Sequence, residues 1–499
     1  MAISRRTLLQ VSAVGGGIML LPGFVQSALA ATGKPRIRYD VDSDPGRFML
    51  EIYARAVAEM KRKPATDPLS WTFQWYTHAV PQSKDSLLNQ VFGPNPSPQR
   101  ALAQAMWFTC EPHFSGNDYA FLPWHRMYVL YLEDIVRKVS GFPDFTMPYW
   151  NYTGPGCSPA SCSVMPAQFR RPHDPLWSAL YSEQRNPGVN QGERVNKRNP
   201  LDLNCMKSAS YEQQGADAGF CNNIDNDPHG ALHDDVGNGS EGMGSVAWAA
   251  KDPIFWVHHS NIDRIWASWI KSGGRDPSDA TFLNQIWTFA DSSGQPVRVK
   301  VSDVLNTETL AFPYTYAEYL PRPTGSVPFT AAAKTFRLHA QSAVPALEAK
   351  AIVLGDKPVS VPLAAPGLSS RAKASPQAFA ASLKAVPASS PYYLSLSEIS
   401  ASSAPGINYN VYLNLAAGEQ PSAQSASYVG TVSFFGLGMA HSGGHGMYQR
   451  NVSFVVTDTV ARLLKAGRMS QAPTVTLVPS GTPQANSAPT VGQITLQSS

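Results

Sequence analysis

After its first thirty residues the chain has no apolar run approaching the roughly 18–20 residues that a membrane-spanning helix needs, so no span is expected in the mature protein. Dense Lys/Arg runs are also absent. The formal net charge is +4 over 499 residues, too weak and dispersed to suggest a nucleic-acid surface. Repeats of solenoid type are missing, which sets aside stacked-repeat architectures. Cysteine is scarce, at five residues, so a packed core rather than a disulfide framework must carry the fold. The hydrophobic fraction of 43% and charged fraction of 15% are those of a globular protein, long enough for two or three domains.

What is present begins with a leader. Ser4-Arg5-Arg6-Thr7-Leu8-Leu9 precedes an apolar run from Val11 to Val25, broken by glycines and by Pro22-Gly23, and Ala28-Leu29-Ala30 offers small residues for cleavage. Residues 1–30 are therefore expected to be a twin-arginine signal peptide, with the mature protein periplasmic or secreted. The cysteines suit that compartment. Cys157 with Cys162, in a Gly/Pro/Ser loop, and Cys205 with Cys221, around a polar one, are candidate local disulfides. Cys110 is left over.

Residues 35–320 read as a mainly helical domain with long connections. Helical periodicity covers 45–63, 99–108, 123–139, 229–237 and 252–271, while 151–227 is loop-like. Residues 321–405 are rich in Pro, Ala and Ser, a linker and the first part of the C-terminal region. Residues 406–499 carry alternating apolar segments at 409–415, 428–435, 452–457 and 474–479, which predict a β-sandwich. The glycine-rich loop between two of them, with His441 and His445, reads as a solvated loop.

The chain is organised around DPIFWVHHSNIDRIWASW, from Asp252 to Trp269. Phe255, His259, Ile262 and Trp266 recur at helical steps along one face. His229 and His233 stand one turn apart, aiming two imidazoles at one point. Phe121 and His125 repeat the Phe-x-x-x-His spacing. The histidines thus fall into two groups: His78, His113 and His125, then His229, His233 and His259 or its neighbour His258. Imidazole-only ligation suits Cu, Zn, Fe or Ni. Zinc is the rival on ligand type, and walls of Phe and Trp favour paired copper.

The segments HFSGNDYAFLPWHRMY, DPHGALH and DPIFWVHHSNIDRIWASW resemble the two copper-binding signatures of the type-3 copper proteins, which comprise tyrosinases, catechol oxidases and hemocyanins. The resemblance covers roughly residues 40–320. It implies a mainly α catalytic domain, a four-helix-bundle di-copper core with long loops, followed by a C-terminal β-sandwich like that of plant polyphenol oxidases. It implies two copper ions, the first held by His78, His113 and His125, the second by His229, His233 and His259. Phe255 would pack over the copper pair, and Asp263, helped by Asn261, would orient the ligands. Cys110 would either remain a thiol or form a thioether to His113, at a spacing that matches neither the fungal nor the plant pattern. Relatives that hold a water by the second copper use a Glu and an Asn. Here Gly230 follows His229, and Asp225 or Asp234 is the available replacement. Val246 stands where plant catechol oxidases carry a bulky gate.

The activity implied is copper-dependent oxidation of small phenols by O2, with ortho-hydroxylation of monophenols and oxidation of o-diphenols to o-quinones. A catechol or o-aminophenol oxidase lacking the first step is the near alternative. An oxygen carrier of the hemocyanin kind and a zinc hydrolase are the distant ones. Partners would be phenols and O2, without nucleic acid or, after export, membrane, and with a copper chaperone as a candidate for metal loading. Tyr314-Thr-Tyr316 resembles the tyrosine motif that precedes the plant linker. The β-domain is then either a permanent stabiliser or a lid, with an apolar residue near Phe434–Leu437 filling the pocket.

Overall fold

The computed structural model describes residues 34–110, 118–153, 162–197, 200–237, 239, 241–329, 347–349, 352–363, 391–437, 449–469 and 473–498. The leader, His113, Cys157 and the loop of His441 and His445 lie outside the described residues. Among those described, no helix is long and apolar enough to cross a membrane.

The first domain is a helical core. Its helices are α1 (Asp44–Arg62), α2 (Trp71–Trp75), α3 (Lys84–Phe92), α4 (Pro98–Met106), α5 (Phe121–Ser140), α6 (Phe220–Ile224), α7 (Ala231–Val236) and α8 (Ile254–Lys271). Local chemistry sets their ends. The Ser43 hydroxyl accepts from the Gly46 amide at 3.1 Å to start α1, and α5 stops at Gly141, whose φ of 68° suits a residue without Cβ. Helices α5 and α8 pack on each other and α1 packs on α5. Residues 254–269 of α8 are all buried, which makes it the central helix. The short strand Arg36–Arg38 pairs in parallel with Tyr314–Tyr316 and ties the start of the domain to its end.

The second domain is a β-sandwich of two four-stranded antiparallel sheets. One runs in the order 428–432, 409–413, 474–479, 359–362, and the other in the order 450–455, 392–399, 493–498, 347–349. Leu394, Leu396, Ile494 and Leu496 of one sheet share a core with Val411, Leu413, Val475 and Leu477 of the other. Alternation along each strand puts these residues on the inner faces.

Several features depart from the sequence reading. Helix α3 was not anticipated, nor were the short α2 and α6 or the helix Thr457–Lys465 of the second domain. Ser83 nucleates α3 by accepting from the Ser86 amide at 3.3 Å. The expected Cys205–Cys221 disulfide is not formed, since both residues are buried thiols. Burial, with Asp227 and Asp202 nearby, pushes the Cys205 thiol up. The polar segment between them is held instead by Asp217, which accepts from Ser208 Oγ at 3.0 Å and from Ser453 Oγ of the second domain at 3.2 Å. Cys162 is disulfide-bonded, its expected partner Cys157 lying outside the described residues.

Candidate metal centre

The helices converge on two clusters of side chains. His78 follows α2, Cys110 follows α4 and His125 lies on α5. Their ligand atoms lie within 4.8 Å of one another, as do those of the second cluster, His229, His233, His258 and His259. His229 sits in a widened turn, Asp225–Gly230, between α6 and α7. His233 is on α7, and the other two are on α8.

A shared device orients most of these rings. Nδ1 of His78 meets the Val246 carbonyl at 3.0 Å, and Nδ1 of His125 meets that of Phe121 at 2.8 Å. For His229 the partners are the Asp225 carbonyl at 3.2 Å and its Oδ1 at 2.8 Å, and for His233 the Met243 carbonyl at 2.7 Å. Each such contact places the ring proton on Nδ1 and leaves Nε2 as the donor atom. Val246 therefore acts through its backbone.

Phe121 and Phe255 sit across both groups. The Phe121 ring lies 4.8 Å from His125 and 4.6 Å from His229, and Phe255 lies 4.9 Å from His78 and 4.2 Å from His259. The His125 and His259 rings stack at 4.2 Å. Burial keeps the imidazoles neutral, holding His125 and His233 down to about 3. Neutral imidazole is the form that binds metal.

The fit to a metal can be judged from the second cluster. Nε2 of His233, His258 and His259 is buried without a hydrogen-bond partner among the described residues. Such converging orphan acceptors are costly unless a cation meets them, so the donor set fits copper. His258 enters the cluster with Nδ1 held by the Tyr152 hydroxyl at 2.8 Å, a contact the sequence reading missed. Cys110 Sγ lies 3.5 Å from His125 Nε2, and the thioether to His113, one of its two alternatives, falls outside the described residues.

Asp263 meets two arginines and two tyrosines rather than a histidine. It accepts from Arg126 Nε at 2.5 Å, Arg38 Nη1 at 3.0 Å, and the hydroxyls of Tyr314 and Tyr316 at 2.5 Å each. It thus fixes α8 as a whole, and the histidines with it. Asn261 is buried on the same helix, its Oδ1 3.4 Å from Arg264 Nη1.

The second domain covers the remaining side. Phe435 stacks on His233, with ring centroids 4.0 Å apart and planes 12° apart, and stands 5.6 Å from His229. Ser433 Oγ donates to Asp234 Oδ2 at 2.9 Å. Burial pushes the Asp234 carboxyl up to about 8. Arg450 pairs with Asp225 at 3.0 Å. Asn226 donates to the Thr431 carbonyl at 2.7 Å and accepts from the Ser433 amide at 2.9 Å. Gly230 has room only for hydrogen, since a Cβ there would lie 2.7 Å from Ser433 Oγ.

Comparison with known proteins agrees with this geometry. Residues 68–272 match the common central domain of tyrosinase and residues 276–324 the polyphenol oxidase middle domain, while residues 346–499 match a domain family of unknown function. Residues 68–324 thus carry the central and middle domains of the tyrosinase and polyphenol oxidase family of type-3 copper proteins, whose cofactor is a pair of copper ions. The chain is 34% identical to a tyrosinase of Hahella sp. (strain CCB-MM4) over 296 residues, 54% of this chain and 61% of that protein. With the chloroplastic polyphenol oxidase of Malus domestica the identity is 29% over 315 residues, 57% of this chain and 49% of that one. The matched regions thus span about half to three-fifths of these curated relatives. The fold as a whole is similar to the structure of latent apple tyrosinase, with a TM-score of 0.61 at 23% identity over 94% of this chain and 98% of that one. A latent aurone synthase gives 0.61 at 19% identity, over 94% and 90%.

Proposed function

We propose that the chain is an exported, latent tyrosinase, which hydroxylates monophenols at the ortho position and oxidises o-diphenols to o-quinones with O2. In this reading residues 1–30 are removed on export. His78, His113 and His125 hold one copper ion, and His229, His233 and His259 hold the other. When bound, the copper pair supplies the electron transfer that couples O2 reduction to phenol oxidation. The chain supplies the rest. Backbone carbonyls keep the imidazoles aimed, and Phe121 and Phe255 exclude water from between the two groups.

The observation that carries the reading is the Phe435 ring, stacked nearly parallel on His233 at 4.0 Å. A phenol would occupy the same place once that ring is withdrawn. Phe435 is accordingly the residue that makes the enzyme latent.

Oxygen uptake by copper-loaded protein tests the proposal. Phe435→Ala should raise turnover of 4-methylcatechol by about tenfold or more over the unaltered chain, the factor tied to roughly 1.4 kcal/mol of closure. Equal rates would overturn latency. Uptake with a monophenol alone distinguishes a tyrosinase from a catechol oxidase, and silence with both substrates in Phe435→Ala would overturn the oxidase reading.

A further inference from the structure

We propose that the preferred substrates are phenols bearing a short cationic side chain, whose charge takes the place that Arg450 holds on Asp225 in the closed state. The inference rests on the phenol-oxidase reading and adds the substrate class.

The second domain places more than a ring in the pocket. Arg450 Nη2 donates both to the Phe435 carbonyl, at 2.9 Å, and to Asp225 Oδ2, at 3.0 Å. One nitrogen therefore links the plug to a carboxylate of the first domain. Both Phe435 and Arg450 are at most 1% exposed. The closed state thus holds an aromatic ring on the histidines with a cation close behind it on a carboxylate.

That carboxylate belongs to the centre itself. Asp225 Oδ1 lies 2.8 Å from His229 Nδ1. A second acidic side chain, Asp234, lies beside His233, its Oδ1 buried without a hydrogen-bond partner among the described residues. Phe435 and Arg450 belong to the same domain and withdraw together when it moves. Their departure uncovers a ring site beside Asp225, a carboxylate that has lost its cation.

In a mouth with low-dielectric walls, such a carboxylate attracts an ammonium group and repels another carboxylate. An arylalkylamine restores both contacts that the plug makes. A neutral phenol restores the ring contact alone, and an arylalkanoate brings like charges together.

Two measurements on the full chain test this. In the first, copper-free Phe435→Ala/Arg450→Ala protein is melted with phenethylammonium or with 3-phenylpropionate. Phenethylammonium should raise the midpoint saturably and the acid should not. In the second, wild-type holoprotein opened with mild detergent is assayed on dopamine, 4-methylcatechol and 3-(3,4-dihydroxyphenyl)propionate. Values of kcat/KM should fall in that order, with at least about tenfold between amine and acid, and Asp225→Asn should narrow the gap. Equal or reversed values, or equal melting shifts, overturn the inference. Failure of 4-methylcatechol to turn over counts against the oxidase reading, and the melting experiment still decides the charge preference. If the double variant does not fold, the detergent-opened wild type decides it.

Discussion

Two arginine–aspartate networks brace the metal centre, and they differ in where the arginines come from. Around Asp263, Arg38 and Arg126 belong to the first domain, as do Tyr314 and Tyr316. Arg38 also pairs with Glu133 at 2.9 Å and lies 3.7 Å over the Tyr314 ring, while Arg126 lies 3.5 Å over Trp266. Around Asp225 the arginine is Arg450, from the second domain, and the neighbouring anchors Thr431 and Ser433 come from there too. Both networks are buried. The first can come apart only if the helical domain unfolds. The second can come apart by a separation of domains that returns water to every charge. If the enzyme is latent as proposed, the same pairing is a scaffold in one place and a latch in the other.

The largest expected effect lies in the scaffold. Asp263→Ala leaves two buried guanidinium groups without their carboxylate, a loss of about 3–5 kcal/mol, read as a lowered denaturation midpoint of the first domain. The pH dependence sharpens the point. Burial opposes ionisation of Asp263, but Arg126 and Arg38, with hydrogen bonds from Tyr314 and Tyr316, outweigh it and hold the carboxyl below its ordinary value. The folded state then binds this proton less readily than the unfolded one. Its stabilisation is complete above about pH 4 and is lost as pH falls through the folded value. Chemical unfolding of copper-free Asp263→Asn between pH 2.5 and 7 should show a shallower acid loss than wild type.

Arg450→Met probes the latch. It also strands a buried charge, but Asp225 escapes the penalty when the domains part, so the cost is capped by the free energy of closure. The first-domain midpoint should shift by no more than about 1–2 kcal/mol, well below the loss at Asp263. Detergent should no longer be needed for activity. A midpoint shift as large as that of Asp263→Ala would erase the distinction between scaffold and latch.

Legibility in the sequence divides along similar lines. The long helices could be read because their apolar residues recur locally. The pairs Phe121/His125, His229/His233 and Phe255/His259 could be read because four-residue spacing is itself a geometric statement. The apolar window at 434–437 came from the resemblance to the plant β-domain, which did not say which of its residues faces the histidines. The chain leaves the strand at Val432 and turns, so that Phe434 packs on Tyr409 in the sandwich core and Phe435 faces His233. Tyr152 and Arg450 left no local trace, because their partners His258 and Asp225 lie 106 and 225 residues away. The Cys205–Cys221 pairing was misjudged because composition cannot reveal that Ser453, from another domain, helps hold the segment between them.

The smallest change sits at Gly230, where the first domain packs against Ser433 of the second. Gly230 has helical backbone angles, φ −62° and ψ −37°, so alanine there carries no conformational strain. Its Cβ would nevertheless meet Ser433 Oγ at 2.7 Å, Ser433 Cβ at 3.1 Å and the Asp225 carbonyl at 3.0 Å. Ser433 cannot yield freely, because its hydroxyl binds Asp234 at 2.9 Å and receives the Phe435 amide at 3.1 Å. The added methyl therefore acts on closure and should leave first-domain stability within about 0.5 kcal/mol of wild type. Gly230→Ala should raise activity without detergent by a few-fold and bring it closer to the detergent-opened rate. Adding Ser433→Gly removes the obstructing side chain. If closure recovers in the double variant, the clash with Ser433 is what opened the latch. If the latch stays open, the Ser433–Asp234 hydrogen bond matters more to closure than the space beside Gly230.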